Sequence, residues 1–448
     1  MRSIVVKPLP ADTGRSGWEA ISTRPFAPQE LHADSTADWL IIGAGFGGLS
    51  AARRLLQLRP KDRIVVLDAR QLAQGPAGRN SGYMIDVPHN LSSGEYSAAG
   101  AEATALEITQ NRFAIDFAKS AAAEYGISRE AFDASGKINA ASTERGLKLN
   151  ARYADSLQGI GETREILDAQ AMRELTGTNY YRGGLRTPGA VMIQPADYIY
   201  GLAAGLHQQI DLFENSPVQS LEKQGSSWRA RTPKGSVTAP NVILAVNGLL
   251  QDFGHCKGRL MHVFTYASMS AAFKQSDFGG KVSGAARWAL LPADPMGATV
   301  RKITTDGKSR IVVRTRFTYD PSMQVSDARV ARIGVAQGKS FVARFPELKS
   351  VPMEYSWAGR LCLTLNNVSV FGEIEPGLFS ACVENGLGTV KSTLAGVLAA
   401  DLATGTPSPH LAALQSQAKP RRLPPEPVAW LGINAVIRMQ ELRAGRES

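Results

Sequence analysis

The chain has 448 residues, of which 44% are hydrophobic and 20% charged, with a net charge of +10. That length calls for two or three domains, or one cofactor-binding fold with a large insertion, and the composition excludes overall disorder and collagen-like or low-complexity chains. Three widely spaced cysteines, Cys256, Cys362 and Cys382, exclude a disulfide scaffold and a CxxC metal site, so no metal is expected and a reducing, cytoplasmic setting fits. No run of 18 apolar residues predicts a membrane span, and residues 1–20 lack the apolar centre of a signal peptide.

In chain order, residues 1–35 are polar and proline-bearing and predict a loosely ordered arm anchored by Trp18 and Phe26. Residues 38–42 predict a buried strand that runs through Gly43-Ala44-Gly45-Phe46-Gly47-Gly48 into a helix over 49–58. A turn at 60–62 leads to a strand over 63–68, which completes a β-α-β unit. Helical spacing recurs over 102–125, 167–175 and 196–209. Strands are predicted over 210–213 and 218–222, a meander over 228–239, and a buried strand over 241–248. Residues 259–319 are strand-rich, 326–345 helical, and 356–360 open a strand pair. A strand over 379–383 precedes Asn385-Gly386-Leu387-Gly388-Thr389 and a long helix; a proline-rich turn and an amphipathic helix end the chain.

The positive charge is concentrated in residues 301–350, with 11 Lys and Arg against 4 Asp and Glu. Arg310, Arg314 and Arg316 alternate with apolar residues, as in a half-exposed strand. They form either a solvated basic face or the wall of a pocket for an anionic substrate; no basic run or tail marks a nucleic-acid site.

Gly43-x-Gly45-x-x-Gly48 lies between a strand and a helix, and Asp68 ends the following strand 25 positions after Gly43. The glycines permit a tight turn and close approach to a pyrophosphate, the helix N-terminus supplies free N–H groups, and Asp68 can accept ribose hydroxyls. This motif serves NAD and FAD alike. Three later features favour FAD: the small-residue loop Gly75-Pro76-Ala77-Gly78-Arg79-Asn80-Ser81-Gly82, the second helix N-terminus at residues 385–389, and Val246-Asn247-Gly248 ending a distant strand of the same sheet.

From about residue 38 to 405, with these motifs and with Trp357-Ala358-Gly359-Arg360, Phe371-Gly372, Arg301, Thr304-x-Asp306-Gly307 and Arg310-Ile311, the chain resembles the FAD-dependent D-amino acid oxidase superfamily. That superfamily includes glycine oxidase, sarcosine oxidase and γ-glutamylputrescine oxidase, and Gly78-Arg79-Asn80-Ser81-Gly82 is most similar to the last. The resemblance implies an α/β (α+β) fold: a discontinuous Rossmann-like FAD domain from residues 36–120, 191–255 and 355–418, and a mixed-sheet substrate domain from 121–190 and 256–354. The arm (1–35) and a tail helix (419–448) flank them. It also implies hydride transfer to flavin N5 from the carbon beside an amine nitrogen of a small amine or amino acid, giving an imine that hydrolyses. Oxygen or another acceptor then takes the electrons.

The resemblance places FAD against Gly43, Gly45, Phe46, Gly48, Asp68, Ala69, Arg70, Gly78, Arg79, Asn80, Ser81, Gly82, Met84, Val218, Asn247, Gly248, Asn385, Gly386, Leu387, Gly388 and Thr389. Candidate catalytic residues are Tyr83 and His89, which follow the flavin loop, and Arg301, which with Arg314 is suited to a substrate carboxylate. Lys391 faces either the pocket or solvent. Trp357 is expected in the core. Cys362 lies one position from the flavin-linked cysteine of sarcosine oxidases and the flavin loop has no histidine, so FAD is expected to be non-covalent. Other readings are a flavin subunit of a heteromeric amine dehydrogenase, an NADPH-dependent flavin monooxygenase, and a tRNA-modifying flavoenzyme. The oligomeric state is left open.

Overall fold

The computed structural model describes residues 3–88 and 98–447. Its centre is a six-stranded sheet in the order Asp211–Phe213, Ile64–Leu67, Trp39–Ile42, Asn241–Leu244, Leu378–Cys382, Val370–Glu375. The first five strands are parallel and the last is antiparallel. These strands read as continuous apolar runs because both faces are covered. Ile41, Val66 and Ile243 pack on the helices Phe46–Leu58 and Gly388–Thr404. Leu40, Ile42, Val65, Leu67, Val242 and Leu244 pack instead on the meander Ser220–Gln224, Ser227–Arg231, Ser236–Ala239, through Leu221, Trp228 and Val237.

The two helices meet backbone to backbone. A Cβ on Gly396 would lie 2.0 Å from the carbonyl oxygen of Gly47, and one on Gly47 would lie 3.2 Å from that of Ser392. The first helix after the glycine turn and the last helix of the sheet are thereby held side by side, with both N-termini at the same end.

A second, eight-stranded sheet runs Met353–Leu363, Met261–Ser270, Lys308–Tyr319, Thr299–Thr305, Trp288–Pro292, Lys137–Ala141, Gly183–Thr187, Glu165–Leu167. The helix Asp327–Arg344 covers one side, burying Ile333 and Phe341. Met353–Leu363 departs from the sequence reading. It joins this sheet rather than the third segment of the central one, because it pairs with Met261–Ser270 along nearly its whole length. It does not form a pair with Val370–Glu375, which pairs with Leu378–Cys382.

The N-terminal arm is not loosely ordered. Ser3–Val5 adds an antiparallel strand to Ser220–Gln224. A short helix, Gly17–Ala20, is capped by the Ser16 hydroxyl. Trp18 is wholly buried, its ring edge-on to Trp357 and its Nε1–H donating to the carbonyl of Asn80. The C-terminal helix Val428–Ala444 lies on Lys308–Tyr319, where Asn434 exchanges hydrogen bonds with the backbone of Tyr319 and Glu441 accepts from the N–H of Phe317. Among the described residues, no helix is long and apolar enough to cross a membrane.

Because the helix pair tolerates no side chain at its contact, Gly396→Ala is expected to force the helices apart. The expected cost is about 1–3 kcal/mol of stability, the range for overpacking a well-packed core. Thermal unfolding and flavin content of the purified variant check this; unchanged values would mean the contact relaxes freely.

Candidate functional site

A single cavity of about 1180 Å3 runs from the glycine turn to the eight-stranded sheet. It exceeds the ~300–1,000 Å3 of a drug-sized ligand site, leaving room for an elongated dinucleotide and a second small molecule. At one end is the turn. Gly43 has φ +105°, and a Cβ there would lie 2.5 Å from the carbonyl of Ala245; a Cβ on Gly48 would lie 1.7 Å from the carbonyl of Gly43. Gly45 caps the helix Phe46–Leu58 with no side-chain hydrogen bond, and its first turn holds no acid. The helix Gly388–Thr404 likewise starts at Leu387 with no side-chain cap and no acid in its first turn. Gly43, Gly45, Phe46, Leu387, Gly388 and Thr389 all line the cavity, so two bare helix N-termini open into one space.

Asp68 closes the end of the strand Ile64–Leu67. One carboxylate oxygen accepts from the N–H of Ala44 at 2.8 Å and the other from the N–H of Arg70 at 2.9 Å, which locks the carboxylate against the turn. Loss of hydration in the cavity wall outweighs these two bonds and raises its pKa to about 6. Ala69, Val218, Asn247 and Gly248 also line the cavity, and the side-chain oxygen of Asn247 is buried without a hydrogen-bond partner.

Several predicted residues make hydrogen bonds to the protein, although Arg70, Arg79, Asn80 and Asn385 also line the cavity. The Arg70 guanidinium turns to the arm, pairing with Asp12 at 2.6 Å and donating to the carbonyl of Pro10. Arg79 is buried and donates to the carbonyls of Gln74, Thr13, Ala358 and Gly14. Asn80 folds the loop upon itself, donating to the carbonyl of Ala77 and accepting from the N–H of Gly82. Gly78 sits against Ala73, where a Cβ would lie 1.9 Å from the carbonyl oxygen. Met84 belongs to the core, on a short strand paired with Val191–Ile193. Asn385 holds the turn at residues 364–368, accepting from the N–H of Thr364 and donating to the carbonyl of Val368. Ser81 and Gly386 line the cavity, and Thr389 donates to the carbonyl of Tyr83.

Arg301 stands behind the flavin loop. It donates from one guanidinium nitrogen to the carbonyls of Ser81, Gly82 and Ile193, at 2.8–3.0 Å, and its guanidinium lies over the rings of Trp18 and Tyr83. A Cβ on Gly82 would lie 2.0 Å from that nitrogen. Burial lowers its pKa to about 10. The expected carboxylate-binding role of Arg301 gives way to a structural one, since three carbonyls occupy it and it does not line the cavity. Arg314 lines the cavity instead, with one terminal nitrogen buried and unbonded and with no carboxylate partner among the described residues; desolvation lowers its pKa to about 10 as well. The flanking Arg310 and Arg316 are paired with Glu354 and Glu441, so the basic strand divides between pocket and ion pairs.

The Tyr83 hydroxyl also faces the cavity, buried and unbonded, and its pKa is raised by burial. His89 lies outside the described residues. Lys391 pairs with Glu107 at 2.8 Å in the cavity wall. Trp357 is core, donating to the carbonyl of Arg79. Cys362 packs on Gly248 and His262; burial holds its thiol well above the usual range, which makes it a poor nucleophile. His262 is pushed down to about 4 by burial. Sequence reasoning missed Glu384, buried in the cavity wall beside Ser392 with its pKa raised to about 7 by burial. It directly precedes the Asn385-Gly386 turn, and its place in a small-residue motif was the available signal. It also missed the arm residues from Val5 to Asp12, which complete one wall.

The family model described as FAD dependent oxidoreductase, DAO, matches residues 38–402. A probable oxidoreductase OrdL of Haemophilus influenzae is 26% identical over 384 residues, covering 82% of this chain and 83% of its own. The gamma-glutamylputrescine oxidoreductase of Escherichia coli is 24% identical over 424 residues, covering 87% and 89%. Among solved structures, glycine oxidase from Geobacillus kaustophilus superposes with a TM-score of 0.68 at 20% identity, covering 86% of this chain and 98% of that one. An L-amino acid deaminase from Proteus vulgaris gives 0.65 at 14% identity, covering 85% and 96%. The bare helix ends, the glycine turn and the unbonded Asn247 oxygen fit FAD.

A carboxylate that receives hydroxyl donors binds them best when ionised, so FAD affinity is expected to be full above about pH 6 and to weaken below it as Asp68 takes up a proton. The slope is at most about tenfold per pH unit for one proton. Fluorescence titration of FAD onto the apoprotein measures this, and Asp68→Asn is expected to bind more weakly and to lose the pH dependence. Cys362 lines the cavity, but burial holds its thiol protonated, so acid precipitation is expected to leave a colourless pellet and a yellow supernatant.

Proposed function

The chain belongs to the DAO family of FAD-dependent oxidoreductases, and on that premise we propose that it oxidises a C–N bond of a small amine or amino acid bearing a carboxylate. The observation that carries the reading is Arg314: a half-buried cation in the wall of the FAD cavity, with one terminal nitrogen buried and unbonded and no carboxylate partner of its own among the described residues. A desolvated guanidinium is costly until an anion meets it, and its planar fork matches a carboxylate. The family membership and relatives named for an amine substrate support the amine half of the proposal.

FAD, when bound, is the two-electron acceptor. The chain's residues supply position. Arg314 fixes the carboxylate end, and its flank rests on the ring of Phe317 at 4.9 Å. Tyr83 presents a protonated hydroxyl beside it, a donor to the same substrate. The loop from Gly78 to Gly82 is held rigid from behind by Arg79 and Arg301, which limits wandering of the cavity floor. The substrate loses a hydride from carbon and the nitrogen lone pair forms the imine, which water then hydrolyses to a carbonyl and an amine.

The test is the anaerobic flavin spectrum during titration with glycine, sarcosine, D- and L-amino acids, putrescine derivatives and 2-hydroxy acids. Bleaching by a carboxylate-bearing amine is expected. Bleaching by a 2-hydroxy acid alone, or by NADPH alone, would overturn the proposal. For the substrate so found, Arg314→Ala is expected to raise KM about 10- to 100-fold, the loss of ~1.5–3 kcal/mol for a hydrogen bond to a charged group, with FAD affinity unchanged. Arg301→Ala is instead expected to lower flavin content, because it releases the loop carbonyls.

A further inference from the structure

We propose that the outward face of the C-terminal helix Val428–Ala444 seats the protein on the surface of an anionic lipid bilayer. The helix packs by one side and leaves an apolar stripe on the other. Its inner side carries the buried Ala429, Glu441 and Ala444, with Asn434 and Glu441 bonded to the strand Lys308–Tyr319. Its outer side carries Val428, Leu431, Ala435, Met439 and Leu442, which succeed one another at three- and four-residue steps and so form one stripe, with Val436 beside it. Leu431 is 59% exposed and Leu442 is 74% exposed.

The charges around the stripe identify the cover. Arg438 and Arg443 fall on its two flanks by helical angle, and Lys419, Arg421 and Arg422 are exposed in the lead-in. Of the three acids in residues 419–447, Glu441 and Glu447 are buried, and Glu426 accepts from the hydroxyl of Tyr319. The face is thus apolar in the middle and cationic at the edges, with no exposed free carboxylate to meet the arginines of a second copy. Size argues the same way. Seventeen residues span about 25 Å, and a stripe of one helix face about 10 Å wide is roughly 250 Å2. A stable protein interface needs about 800 Å2 from each partner. An interfacial helix needs only an apolar stripe sunk to headgroup depth with basic residues at its rim. The long arginine stems reach the headgroups while their methylenes stay against the apolar stripe.

The experiment is co-sedimentation of the FAD-loaded full-length protein with vesicles of phosphatidylcholine alone and with vesicles that also contain phosphatidylglycerol. Binding is expected only to the anionic vesicles, lost at high salt. It is expected to fall about fivefold for each of Arg421 and Arg422 replaced by glutamine, and to be abolished in Leu431→Glu/Met439→Glu. Both substitutions lie on the exposed side, so the variant should keep the wild-type flavin spectrum and unfolding temperature; that control separates loss of docking from loss of folding. Absence of sedimentation with anionic vesicles overturns the proposal. So does a dimer in analytical ultracentrifugation that the double variant dissolves, which would assign the stripe to a second copy of the chain.

Discussion

The backbone contact between Gly47 and Gly396 governs the geometry of the site. Two helices separated by some 350 positions in sequence meet with no side chain between them, which fixes both their separation and their stagger. Their N-termini therefore open at one end of the central sheet, where the parallel strands also end. Each end leaves N–H groups unbonded, and each first turn lacks an acid. The two positive helix ends add in the same cavity, and in a space of low dielectric that sum favours a ligand with negative charge in two places. The glycine turn, Asp68 and the residues from Leu387 to Thr389 become one site only because that contact closes.

Three arginines around the cavity, Arg79 and Arg301 buried and Arg314 half-buried, differ in their partners. Arg79 and Arg301 are engaged by four and three backbone carbonyls. A charged donor to a carbonyl contributes about 1.5–3 kcal/mol, so several such bonds offset a desolvation cost of several kcal/mol and leave a rigid loop behind. Arg314 has no such set: one terminal nitrogen is buried and unbonded. The same residue type is a staple in two places, whereas Arg314 lines the cavity with no carboxylate beside it among the described residues. Gly82 shows how tight the staple is, since the position that Arg301 occupies excludes a side chain there.

What the sequence revealed follows this division. The strands ending at Ile42, Leu67 and Leu244 and the glycine turn are encoded locally, in apolar runs bounded by small residues, and the shared sheet followed from their distance and pattern. The direction of Arg301 is not local. It depends on carbonyls at Ser81, Gly82 and Ile193, more than a hundred residues away, so spacing within its own strand says nothing of it. Trp18 was legible as an anchor and does pack beside Trp357, but the order of the rest of the arm was not, because it comes from partners far away, with Asp12 bridging Arg70 and Arg360 and Ser3–Val5 pairing with Ser220–Gln224. Polar, proline-bearing composition describes the free segment and not the groove that receives it. For Met353–Leu363 the sequence showed a strand but not its partner, which is Met261–Ser270.

The net charge of +10 acquires a meaning once each cation is located. The basic strand Lys308–Tyr319, which the sequence left as either a solvated face or a pocket wall, sends Arg310 to Glu354, Arg316 to Glu441 and Arg314 to the cavity wall. Asp12 serves two arginines, Arg70 and Arg360, at once. Pairs of this kind are close to neutral in stability when exposed, and they remove charge from the surface without creating a long-range field. Exposed cations without an ion pair among the described residues are spread over the molecule, Lys7, Lys61, Lys148, Lys257 and Arg332 among them, and Lys419, Arg421, Arg422 and Arg443 lie in or just before the last helix. The net charge is therefore a sum of unlike parts: cations neutralised in ion pairs, Arg314 in the cavity wall, and lysines and arginines left on the surface, and only the last of these contribute to the outward field.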